Sequence, residues 1–137
     1  MQCNLEGRCH CGAVRYTGRS EPVYSCECHC LDCRRLSGAG HLALMAVPAA
    51  DMVFTGPLKA YGAVVDSGAT VTNHFCAECG SQIYKSGELM PDVAFLVAAT
   101  LDNPETFQPR VSLYTSRALS WDPPNPATTH HEKMPAG

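Results

Sequence analysis

Cysteine placement constrains this chain more than any other feature. Of its 137 residues nine are cysteine, and all but Cys3 fall into three short groups. These are Cys9-His10-Cys11, the run "SCECHCLDC" from Ser25 to Cys33, and "FCAECGS" carrying Cys76 and Cys79. An odd count precludes complete internal pairing. The start "MQCNLEGRCHCG" has no basic head followed by an apolar core, so it does not read as a signal peptide, and a cytoplasmic location is the default expectation. In a reducing compartment clustered thiols hold metal or do chemistry in preference to forming disulfides.

The spacing separates the groups. Cys76-Ala77-Glu78-Cys79-Gly80 is a C-x-x-C turn, half of a zinc knuckle, and Gly80 tolerates the positive φ such turns need. A structural zinc takes four ligands in a closed tetrahedron, and Cys9 and Cys11, also followed by glycine, are the best candidates for the other two. That would tie the first strand to a hairpin far along the chain. The middle run offers Cys28, Cys30 and Cys33 from one tight loop. Three protein ligands with an open fourth position is what catalytic zinc sites keep. Cys26, two residues before Cys28 and on the same side of an extended chain, would close the site if it were a ligand. Spacing leaves that open.

The rest of the chain reads as mainly β. Short segments rich in β-branched and aromatic residues lie between Gly, Pro, Asp and Asn: 13–17, 41–47, 52–55, 71–75, 82–85, 93–99 and 111–115. Residues 58–75 read as a hairpin turning at Asp66-Ser67-Gly68. Residues 31–38 read as a short helical turn ended by Gly38. With no evident linker, 1–137 is expected to be one domain, with 123–137 a Pro-rich tail, extended or loosely ordered. A net charge of -3 with scattered basic residues argues against a dedicated nucleic-acid binder. The longest apolar run, 93–99, is far short of the roughly 20 residues a membrane helix needs.

Three blocks, "GRCHCGAVRY" (7–16), "CHCLDCRRLSG" (28–38) and "FCAECGS" (75–81), resemble the signatures of the glutathione-dependent formaldehyde-activating enzyme (Gfa-like, CENP-V/GFA type) family. "TLDNP" (100–104), "SLYTSRALSW" (112–121) and "MP" (134–135) are similar to its weaker C-terminal blocks. The resemblance implies an Mss4-like fold, small antiparallel sheets organised around zinc. It implies Cys9, Cys11, Cys76 and Cys79 as ligands of a structural zinc, and Cys28, Cys30 and Cys33 as catalytic residues and ligands of a second zinc. The implied activity is that of a carbon–sulfur lyase, with addition of glutathione to formaldehyde as the namesake reaction and a small-molecule thiol such as glutathione as partner. The sequence departs from the pattern at His74, where arginine is usual, in "CGS" for "CGT", and in the additional Cys3 and Cys26.

The chemistry agrees with that implication. A zinc-bound thiol is deprotonated outright, whereas a free one is mostly protonated at neutral pH. A three-thiolate zinc site carries a net negative charge and is a weak Lewis acid, better suited to holding a substrate thiolate beside an electrophilic carbon. Arg34 and Arg35 are placed to offset that charge or bind a substrate carboxylate, or are simply exposed beside a turn. His10 and His29, between ligands, are expected to point away; His41 and His74 to be strand residues; Tyr114 and Trp121 to be core aromatics. The alternative function is a non-catalytic zinc-binding module for a protein partner, favoured if Cys26 closes the second site. Methionine sulfoxide reduction ranks low, because no cysteine follows Cys79.

Overall fold

The computed structural model describes residues 4–135, and Cys3 therefore lies outside the described residues. The elements are β1 (Leu5–Arg8), β2 (Arg15–Gly18), β3 (Tyr24–Cys28), α1 (Leu31–Ser37), β4 (Leu42–Pro48), β5 (Val53–Thr55), β6 (Leu58–Val64), β7 (Thr70–Cys76), β8 (Gln82–Gly87), β9 (Met90–Val97), β10 (Val111–Leu113) and β11 (Thr129–His130). They form a three-stranded sheet, β1-β2-β5, and an eight-stranded sheet in the order β11-β10-β3-β4-β9-β8-β7-β6. The architecture is the mainly β, Mss4-like one expected. It is mixed in one place, where β10 runs parallel to both β3 and β11. Many residues separate β3 from β10, so nothing in a tight turn forces an antiparallel return.

β4 lies near the middle of the large sheet and is buried on both faces. Leu42 and Leu44 face an apolar cluster with Cys26, Cys28, Cys33, Val97 and Leu113. Met45 and Val47 face a second cluster that includes Leu5, Tyr16, Ile83 and Leu96, and so joins the two sheets. Period-two alternation on a doubly covered strand explains the four consecutive buried residues Leu44–Val47.

The anticipated turns form. Gly68 N–H donates to Val65 O at 2.9 Å in the β6–β7 hairpin, at φ 87°. Gly38 ends α1 in the left-handed region at φ 73°, its N–H donating to Arg34 O. Three strands, β1, β3 and β11, are not anticipated by the sequence pattern. β1 is a four-residue strand interrupted by Gly7. β3 reads as a ligand loop because its inward residues are Cys26 and Cys28, which pack as small hydrophobes. The C-terminal tail contributes β11, and His131 N–H donates to Ser112 O at 3.0 Å.

Candidate functional site

Two cysteine clusters assemble from residues distant in sequence. In the first, the turn after β1 carries Cys9 and Cys11, and the end of β7 and its following turn carry Cys76 and Cys79. Their four sulfurs lie within 4.8 Å of one another. Cys9 and Cys11 are 3.6 Å apart and Cys11 and Cys76 3.9 Å. A tetrahedron of sulfurs about 2.3 Å from a central zinc has edges of about 3.8 Å, so the donor set fits such an ion. The turns aim backbone amides at the same point: Val14 N–H donates to the Cys9 sulfur at 3.2 Å, and Glu78 N–H to the Cys76 sulfur at 3.3 Å. Gly80 adopts φ 81°, as its turn requires. The Ser81 hydroxyl, 3.2 Å from the Cys79 sulfur, leads the hydrogen bonds that hold that thiol down at about 5.

The second cluster holds Cys28, Cys30 and Cys33, whose sulfurs also lie within 4.8 Å of one another. Cys28 ends β3, Cys30 caps α1, and Cys33 sits in its first turn. Cys33 N–H donates to the Cys30 sulfur at 3.3 Å. Cys30 ionises first of the three, held far below the ordinary thiol value by hydrogen bonds from Cys28 and Cys33. The same hydrogen bond with Cys30 pushes Cys28 up. Three soft thiolate donors on one turn suit a thiophilic cation.

Cys26 stands apart from this group. It is buried among Leu44, Val97 and Leu113, and desolvation pushes its thiol up to about 12. It behaves as a core residue one strand step from the cluster. The eight described cysteines are all free thiols.

A cavity of about 240 Å³ opens beside the second cluster, with Cys28, Cys30 and Cys33 in its wall. Leu44, Phe95 and Leu113 make it apolar, and Lys85, Tyr114 and Arg117 also line it. Lys85 is 5% exposed and its Nζ donates to the Cys33 sulfur at 3.5 Å. It is the buried cation of this site, in direct contact with the cysteine cluster. Arg34 and Arg35 do not line the cavity, and Arg35 is exposed. Simple alternation in "QIYK" does not place Lys85: the register shifts where β7 meets β8 at His74 and Phe75, so Ile83 faces the cluster of Leu5 and Leu96 while Lys85, opposite Phe95, faces the cavity. Tyr114 is half-buried: it packs against the apolar cluster around Cys26 and Leu113, as expected of a core aromatic, and also lines the cavity. It sits at φ 55°, the one non-glycine residue with positive φ among the described residues, and the Arg117 guanidinium lies 5.4 Å from its ring centre. Trp121, by contrast, is not a core aromatic; it is 70% exposed, since the turn at Leu119–Asp122 leaves it outside both sheets.

His74, on β7, stacks on Tyr84 at 4.1 Å and hydrogen-bonds Ser86 at 2.8 Å. His10 is exposed, and His29 is buried outside the sulfur cluster. No helix among the described residues is long and apolar enough to cross a membrane.

Comparison with known proteins agrees with this geometry. The family model for "Glutathione-dependent formaldehyde-activating enzyme" matches residues 4–117. A Halomonas elongata protein named "Putative glutathione-dependent formaldehyde-activating enzyme" is 33% identical over 124 residues, spanning 85% of this chain and 78% of that protein. The crystal structure of a Rhodobacter sphaeroides protein is similar at a TM-score of 0.57 and 22% identity, covering 72% of this chain and 88% of that one, and supports the fold. With two cysteine clusters built as described and a family match over most of its length, the chain belongs to the glutathione-dependent formaldehyde-activating enzyme family.

Proposed function

We propose that this protein is a zinc-dependent carbon–sulfur lyase acting on a small thiol adduct, of the S-(hydroxymethyl)glutathione synthase type. The observation that carries the reading is the cavity of about 240 Å³ whose wall includes Cys28, Cys30 and Cys33. In this reading Cys9, Cys11, Cys76 and Cys79 hold a structural zinc, and Cys28, Cys30 and Cys33 hold a catalytic one. That zinc would supply a fourth position where a substrate thiol, its proton released to solvent water, is held as the thiolate.

The chain's own residues do the rest. Leu44, Phe95 and Leu113 keep the cavity apolar, which strengthens the pull of Lys85 on a thiolate near Cys33. Lys85 and Arg117 are cations for the carboxylates of a peptide thiol such as glutathione. The substrate sulfur attacks the formaldehyde carbon, forming a C–S bond while the C=O π pair moves to oxygen. That oxygen takes a proton from water, and the reverse sequence cleaves the bond. A cytoplasmic setting belongs to the same reading, because substrate and cluster thiols both stay reduced there. The separation of Cys26 from the cluster, with a cavity in front of it, favours this reading over a non-catalytic module for a protein partner.

The test is exchange spectroscopy at equilibrium, measuring interconversion of glutathione and its formaldehyde adduct with zinc-loaded protein. The expected result is exchange faster than in buffer, lost in Cys28→Ser together with one zinc, and retained in Cys26→Ser. Wild-type protein with full zinc and no acceleration would leave the site a binding module.

A further inference from the structure

A third group of metal-binding side chains lies on the opposite face of the turn that carries Cys28 and Cys30. We propose that His29, His41 and Asp122 form a nitrogen–oxygen site for a divalent transition-metal ion, with Glu27 as the carboxylate that orients His41. This site depends on neither the lyase activity nor metal in the two thiolate clusters.

The sheet register creates the group. β3 and β4 pair antiparallel with Glu27 opposite Ala43 and Cys28 opposite Leu42. Continued by one step, the register sets His29 opposite His41. Alternation then points Cys26 and Cys28 to one face and Glu27 and His29 to the other. The two imidazole rings lie 4.9 Å apart, and a donor atom from each of His29, His41 and Asp122 lies within 4.8 Å of the others.

Three independent features point to a ligand. First, His29 is 1% exposed and its Nδ1 has no hydrogen-bond partner, although it is aimed at Asp122 Oδ2, 3.8 Å away. A buried polar atom left unpaired is unfavourable, and a bound cation would satisfy it. Second, His41 Nε2 lies 3.1 Å from Glu27 Oε2 while its Nδ1 hydrogen-bonds Asp122 Oδ2, a contact that an entering ion would replace with two ligand bonds. A histidine that ligates through one nitrogen and donates from the other to a carboxylate is the usual arrangement around protein metals. Third, Gly40 makes room for the Asp122 carboxylate: a Cβ there would stand 2.3 Å from Asp122 Oδ2.

The dimensions suit a small cation. Ligand bonds of about 2.0–2.2 Å give tetrahedral edges of about 3.3–3.6 Å. The separation of 3.8 Å from His29 to Asp122 is close to that, and the 2.5 Å from His41 Nδ1 to Asp122 Oδ2 must open by about an ångström. Both His41 and Asp122 are partly exposed, at 28% and 24%, so they can move and the ion can enter from solvent. Two imidazoles and a carboxylate suit zinc, cobalt or iron(II) better than calcium. An ion there would tie the segment around Asp122 to the corner between β3 and α1, one residue from Cys28 and Cys30.

Cobalt(II) titration of the full chain separates this site from the sulfur clusters. Cobalt on thiolates shows intense near-ultraviolet charge-transfer absorption; cobalt on nitrogen and oxygen does not. The expected result is one further equivalent of cobalt by equilibrium dialysis after the charge-transfer absorption has saturated. That equivalent should disappear in Asp122→Asn and in His41→Gln, and bind about 10–100-fold more weakly in Glu27→Gln. The unchanged charge-transfer absorption of each variant shows that it remains folded. Saturation of all bound cobalt together with the thiolate bands, or a further equivalent that survives in both Asp122→Asn and His41→Gln, overturns the proposal.

Discussion

Replacing Lys85 with methionine tests the electrostatic logic of the thiol site. The two side chains are similar in length, and the neighbouring Leu44 and Phe95 receive an apolar group readily. The Lys85 Nζ lies 3.5 Å from the Cys33 sulfur, so its charge acts mainly on what happens at the cysteine cluster. A thiol that binds there as a thiolate releases its proton and adds one negative charge to the site. At an effective dielectric constant of about 20, a cation about 5 Å away stabilises that charge by about 3 kcal/mol. Water entering the cavity after the substitution screens part of the difference, leaving about 1.5–3 kcal/mol, or about 10–100-fold in affinity.

Zinc binding should change far less. Cys30 is already the preferred thiolate, so one negative charge is present before an ion arrives. Two further protons leave as a dication enters, and the net charge beside Lys85 stays the same. Lys85→Met should therefore keep its zinc by mass spectrometry of metal content while binding glutathione about 10–100-fold more weakly by calorimetry. Unchanged glutathione affinity would refute the reasoning. So would a loss of zinc, which would make Lys85 a structural support of the metal.

Two further predictions concern stability. Gly56 adopts φ 104°, and a Cβ there would stand 2.1 Å from the Ala13 carbonyl oxygen, which belongs to backbone and cannot turn aside. Gly56→Ala should lower the unfolding free energy by about 2–6 kcal/mol in urea titration, from backbone strain and overlap together; a loss under about 1 kcal/mol would contradict this. Tyr16 is raised from 10.0 to about 12, by burial first, with a lesser contribution from Asp102. Its folded pKa lies above its unfolded one, so its stabilisation is complete below pH 10 and is lost as pH rises toward 12. Wild type should lose about 2–3 kcal/mol more than Tyr16→Phe over that interval in parallel alkaline denaturations, and parallel curves would count against it.

The cysteine spacing, read alone, was informative because the chemistry is local. A C-x-x-C turn with its glycine, or three thiols on one short loop, brings its sulfurs together through the turn itself. That is why the two cysteine groups could be separated before any fold was known. The β character, the hairpin at Asp66–Gly68 and the cap at Gly38 were equally legible, since each rests on neighbouring residues.

What the sequence left open depended on which face a side chain takes and on strands far apart in the chain. Cys26 and Cys28 share a face of β3, yet only Cys28 reaches the cluster, because Cys26 is covered by Leu44, Val97 and Leu113. Lys85 meets Cys33 only through the stacking order of β3, β4, β9 and β8, which brings residues 52 apart in sequence to 3.5 Å. His29, His41 and Asp122 look unrelated in sequence and converge by strand register and a glycine that admits a carboxylate. Spacing along the chain determined which residues are chemically equipped. Register and packing decided which of them meet, because those contacts are set by the alternation of every strand in the sheet at once.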